Sequence, residues 1–207
     1  MKVLLSGKVK VVVFEAKVFS AKIGGKYEHY FINVPVSVSG AFKGRVANLS
    51  NIRIIDGNMI HYVPKLRVHM ARSRGSASYR IYVPVWLGRQ VSGKEIVIIG
   101  LVGGEDSAGG AVPATKIYSS VIVEKVRITA YTKYCAMFII PSKYSESVRP
   151  LTDVEVEIAT SDGILTTAGR VFTYSRTGGK AFYAVRLYNV KAEEVAGKEA
   201  AVVVKVP

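Results

Sequence analysis

The sequence predicts an all-β protein that contains an internal duplication, and three observations carry that prediction. Apolar residues make up 49% of the 207 positions, and they are weighted towards Val, Ile and Tyr, which suit pleated, half-buried surfaces. Tight-turn signals, above all Asp56-Gly57-Asn58 and Ser161-Asp162-Gly163, separate runs of alternating character. Finally, Arg72 to Ile99 recurs without a gap as Arg176 to Val203: Arg72, Gly75, Tyr79, Val91, Gly93, Lys94 and Glu95 meet Arg176, Gly179, Tyr183, Val195, Gly197, Lys198 and Glu199. Even strand spacing with little helix favours barrels or sandwiches.

Taken in order, residues 8–20 alternate and read as a strand, with a turn at Gly24-Gly25. A second strand from His29 ends near Pro35, a residue tolerated only at strand ends and edges. RVANLSNIRII then runs into the turn at Asp56-Gly57, and MIHYVPKLRVHMA returns from it. Arg72 to Gly75 is a basic turn, followed by the strands SYRIYV and EIVIIGLV. Residues 103–118, with GGEDSAGGAVPATK at their centre, read as the linker between halves, since they lack hydrophobic periodicity. VIVEKVRITAY resumes the strands, and VEVEIATSDGILTTAGRVFTY is a hairpin matching the one at Asp56-Gly57.

The step Tyr30, Pro35, Gly44 repeats as Tyr79, Pro84, Gly93 and as Tyr183, Tyr188, Gly197. A looser copy runs from Pro141 to Asp153. Four units follow, 1–57 and 58–102 in a first half, 119–160 and 161–207 in a second. Between the strands, VSVSGAFKG, VWLGRQVSG, SKYSESVRPL and NVKAEEVAG are each long enough for one helical turn, and the last is the best helix former.

Charge is unevenly divided. Residues 1–102 hold 16 Lys/Arg against 4 Asp/Glu, whereas residues 103–207 hold 13 against 11. So lopsided an excess points the first half at a polyanion, because like charges crowded on one domain disfavour its compact state. No run approaches the roughly 20 apolar residues of a membrane span, so no membrane partner is expected. Lys8 and Lys10 interrupt the apolar start, so it reads as a strand rather than a secretory signal. The lone Cys135 excludes an intrachain disulfide and fits a reducing compartment, the cytoplasm.

A strand ending in Pro, a short connection, and Gly plus a polar residue opening the next strand resembles the AbrB/SpoVT swapped-hairpin family. YRIYVP followed by VSGKEIVII keeps that order, with Lys94 where the family's loop often has Asp. VAGKEAAVV keeps the loop but lacks the Pro, and Thr152-Asp153 stands at the third loop without the Gly. The resemblance implies two tandem small cradle-loop barrels, each made of two related strand-loop-strand units, with duplex DNA as partner. Such proteins pair units from two chains, so a homo-oligomer is compatible with it. The glycines themselves, Gly44, Gly93 and Gly197, have a purely architectural explanation.

Five cations, Lys65, Arg67, Arg72, Arg74 and Arg80, cluster around one hairpin with no acid between Asp56 and Glu95. Arg suits phosphate and guanine edges because its planar fork binds bidentately. Arg176 is the retained C-terminal counterpart, diluted by nearby acids. Tyr62, Tyr79 and Tyr82 interleave with the cluster; they suit either base stacking or, more ordinarily, packing. No nucleophile motif, phosphate loop or paired-carboxylate signature occurs, so the chain reads as no enzyme, without cofactor or small-molecule substrate. His29, His61 and His69 with one Cys give no metal-ligand spacing. The favoured reading is a duplex-DNA-binding regulator or chromosome-associated protein. Its rivals are a coat or scaffold subunit without nucleic-acid affinity and, more weakly, a binder of single strands or RNA.

Overall fold

A computed structural model describes residues 4–6, 9–23, 27–73, 76–103, 113–175 and 181–207. The turn at Gly24-Gly25, the repeat positions Gly75 and Gly179, and the centre of the expected linker therefore lie outside the described residues. The first half begins with β1 (Leu4–Ser6), β2 (Val9–Ile23), β3 (Tyr27–Asn33), the helical turn α1 (Val36–Ser39) and β4 (Val46–Asp56). It continues with β5 (Met59–Ser73), β6 (Ser76–Val83), α2 (Val85–Val91), β7 (Glu95–Val102) and β8 (Ala114–Ile117). In the second half come β9 (Ser120–Arg127), β10 (Thr129–Thr132), β11 (Cys135–Ile139), a 3-10 turn over Ser142–Ser147 and β12 (Asp153–Thr160). The chain ends with β13 (Gly163–Ser175), β14 (Ala181–Leu187), α3 (Ala192–Val195) and β15 (Glu199–Val206). The fold is all-β, as expected.

Two compact units form, one from Met1–Ile117 with Ser161–Gly163, the other from Tyr118–Thr160 and Ile164–Pro207. Each has its own apolar interior. Phe14, Ile32, Leu49, Ile54, Ile81, Leu87 and Ile98 fill the first, and Ile122, Phe138, Val156, Val185, Leu187 and Val202 fill the second. In the first unit the strand order is β2-β3-β6-β5-β4-β7, and β7 pairs back onto β2 from Lys10↔Val102 to Lys17↔Glu95. Six strands thus close into a barrel, although β5 meets β6 only from Val68 onward and keeps an edge before it. The second unit has the order β10-β11-β14-β13-β12-β15-β9. Its two end strands follow one another in the chain with Ile128 alone between them, so the sheet curls along the same path.

Within the barrel the two units of the repeat interlock. β3 of the first pairs β6 of the second, β4 pairs both β5 and β7, and β7 pairs β2. Neither unit pairs its own last strand with its own first two.

One backbone junction occurs four times and ties the repeat to geometry. The Lys94 carbonyl accepts from Val18 N–H at 3.2 Å, and the Lys198 carbonyl accepts from Ile128 N–H at 3.2 Å. The Arg45 carbonyl accepts from Met70 N–H at 2.8 Å, and the Thr152 carbonyl from Val171 N–H at 2.9 Å. The residue before each acceptor is left-handed: Gly44 at φ 77°, Gly93 and Gly197 at 78°, and Leu151 at 65°. A Cβ on Gly93 or Gly197 would meet nothing within 4 Å, so conformation rather than space calls for glycine there.

The short connections depart from expectation. NVKAEEVAG yields only the four residues of α3, whereas VWLGRQV forms the seven of α2. Pro84, at φ −55°, starts α2 at once. The fourth unit has no such proline, and Asn189 at φ 55° spends the preceding residues on a turn. The expected linker also differs: its last part is β8, paired with β5 from Met59↔Ile117 to Tyr62↔Ala114. Both predicted hairpins stand, with Gly57 left-handed at φ 58° in the first. Among the described residues no helix is long and apolar enough to cross a membrane.

Candidate nucleic-acid interface

Strand alternation sets the face. On β5, Leu66 and Val68 are buried while Lys65 and Arg67 are exposed and His69 is half-buried. Arg80 of β6 lies opposite His69, and Asn33 of β3 lies opposite Arg80. Directly paired residues share a face, so Lys65, Arg67 and Arg80 come together on the outside of the barrel. The Arg72 side chain and all of Arg74 and Arg176 lie outside the described residues, although β5 runs as far as Ser73.

Rings share this face. Phe31 pairs with Phe19 on one side and Tyr82 on the other. Phe19 and Phe31 stack with centroids 5.7 Å apart at 23°, and the Arg80 guanidinium lies 4.9 Å above Phe31. Asn33 Oδ1 accepts from Arg80 Nε at 3.2 Å and fixes the guanidinium there. Tyr82 meets His69 edge to face at 5.4 Å. Phe19 is 41% and Tyr82 43% exposed, so the row opens to solvent at these two rings. Among the three tyrosines singled out in the sequence, Tyr79 is buried, its hydroxyl directed at the carbonyls of Phe42 and Gly44 at 3.3 and 3.2 Å. Tyr62 is half-buried beside Arg53 and Lys116. Only Tyr82 belongs to the open row.

Sequence reasoning missed Phe19 and Phe31. HYFIN is apolar on both faces of its strand, because Tyr30 and Ile32 point into the core between Phe31 and its neighbours. The signal was present in that lack of alternation.

None of the four carboxylates of residues 1–102 pairs across the sheet with a ring of the row. Asp56 holds Lys94 at 2.6 Å, Glu28 lies 3.9 Å from Arg89, and Glu15 and Glu95 belong to the β2–β7 seam. In the second unit four cations are held by carboxylates. Arg170 binds Asp153 at 2.6 Å, Lys125 binds Glu199 and Lys143 binds Glu124 at 2.5 Å each, and buried Lys205 binds Glu155 and Glu157. Arg170's hydrogen bonds hold the Asp153 carboxyl below its usual range. Arg186 lies over the rings of Tyr131 and Phe172, at 4.5 and 5.0 Å.

Among the described residues no group of three His, Cys, Asp or Glu side chains gathers as a metal site would require. No protein-family model, no curated protein and no solved structure matches the chain.

Proposed function

We propose that the chain is a DNA-binding protein whose first unit holds the phosphate backbone on the outer face of β5 and β6. The observation that carries this reading is the placing of Lys65, Arg67 and Arg80 on one outer face of the barrel. Phosphate contacts supply most of the affinity of such a surface, through release of counterions. The second half, with 13 Lys/Arg against 11 Asp/Glu over residues 103–207, suits a structural or protein-contact role. The AbrB/SpoVT resemblance adds a regulator or chromosome-associated protein as the biological setting, with duplex DNA as the form bound. No residue set on this face suggests catalysis, and the reading includes neither enzyme activity nor a cofactor.

The test is a salt titration of duplex binding by fluorescence anisotropy. Lys65→Gln with Arg67→Gln should weaken binding to every sequence alike and flatten the log K against log[salt] slope by about two units. Arg72→Gln with Arg74→Gln should flatten it by a similar amount. A folded double variant with an unchanged slope would remove this face from the interface. No affinity for any nucleic acid at physiological salt would favour the coat or scaffold alternative instead.

A further inference from the structure

We infer that the ring row Phe19–Phe31–Tyr82–His69 offers its open rings, Phe19 and Tyr82, as a stacking platform for the bases of an unpaired DNA strand, with Arg80, Arg67 and Lys65 on its phosphates. This rests on the reading that the face binds DNA phosphates and departs from it in strand form, an unpaired strand in place of the duplex.

Placement is the first argument. The rings come from four adjacent strands, β2, β3, β6 and β5, so the row crosses the sheet rather than running along one strand. With neighbouring strands about 4.8 Å apart it extends about 14 Å, enough for two or three bases. Phe19 and Tyr82 keep two fifths of their surface open on the same face as the cations. Exposed apolar rings beside fixed cations fit a partner that offers flat apolar faces and negative charge together. An unpaired strand does so, whereas duplex DNA hides its base faces in the stack.

Chemistry is the second. Arg80 is already parallel to the needs of such a site, since Asn33 and the Phe31 ring hold its guanidinium over the row. A base laid on Phe31's neighbours therefore meets a positioned cation at its sugar-phosphate side, with little side-chain freedom left to lose. Lys65 and Arg67 lie further along β5 on the same face and extend the cationic track.

The experiment measures the full chain against dT15, a 15-base-pair duplex and rU15 at several salt concentrations. The expected result is tighter binding to dT15 than to duplex at matched salt. Phe19→Ala with Tyr82→Ala should weaken dT15 about tenfold per ring, while duplex affinity and the salt slope stay within twofold of the parent. Phe19→Leu with Tyr82→Leu keeps apolar area and provides the folding control; it too should lose dT15 affinity. Equal loss for duplex and dT15, tighter binding to duplex, or a preference for rU15 would each overturn the platform, while leaving the phosphate-binding reading standing. Absence of binding to all three would overturn both.

Discussion

At Leu151 a single backbone angle separates the sequence motif from the structural one. Three of the four junctions place glycine at the left-handed position, and the fourth forms with leucine at φ 65° and the same hydrogen bonds, Leu151 N–H reaching Val171 O at 2.8 Å. An L side chain in that region costs about 1–2 kcal/mol. Leu151 is 75% exposed, so its side chain returns little through burial. Leu151→Gly is therefore expected to stabilise the protein by about 1 kcal/mol after the greater freedom of the unfolded glycine is allowed for. In a thermal melt that appears as a midpoint about 2–4 °C higher, and an unchanged or lowered midpoint would count against strain at this position. The first, second and fourth junctions were legible because glycine marks them in the sequence. The third was placed only by the position of Thr152-Asp153 in the looser copy, because leucine carries no conformational signature, and the hydrogen bonds fix it at Leu151-Thr152.

Among the elements, β8 shows how a segment without periodicity becomes structure. Ala114–Ile117 are all exposed, and nothing in ATKI announces a strand; the β5 edge supplies the pairing. Beneath it lies His61, fully buried, with Nδ1 2.9 Å from Thr115 Oγ1 and Nε2 without a partner. Burial lowers its pKa, against a raising influence of Asp56 and with a smaller lowering one from Lys94. The unfolded chain binds a proton as pH falls below about 6.5, while folded His61 resists it. Its contribution to stability is therefore whole above that pH and is lost as pH falls towards the depressed folded value. Urea midpoints should drop between pH 7.5 and 5.5, and His61→Gln should flatten that drop; parallel curves for the two proteins would contradict it. By contrast, the cationic face of β5 was readable in advance. Lys65, Leu66, Arg67 and Val68 alternate strictly, whereas Phe19 and Phe31 lie beside buried residues that mask which face they serve.

On the scale of the whole molecule, the charge imbalance and the repeat agree with two self-contained units, each with its own core. A fragment of residues 1–117, which keeps β8 on its edge, is expected to unfold in one cooperative urea transition. A broad, non-cooperative transition would mean that the halves depend on one another for their interiors. What the sequence left open was how the paired units join, since strand pairing between distant segments leaves no local mark. The closure of β2 on β7 sets an order of events during synthesis. Lys10 finds its partner only when Val102 has been made. Until then β2 has β3 and β1 as neighbours, β4 has β5, and the ring has a gap. The first barrel should thus mature late on the ribosome, in a single step at the arrival of β7. With so many partners far apart along the chain, that step belongs to the slow end of small-domain folding, in milliseconds to seconds.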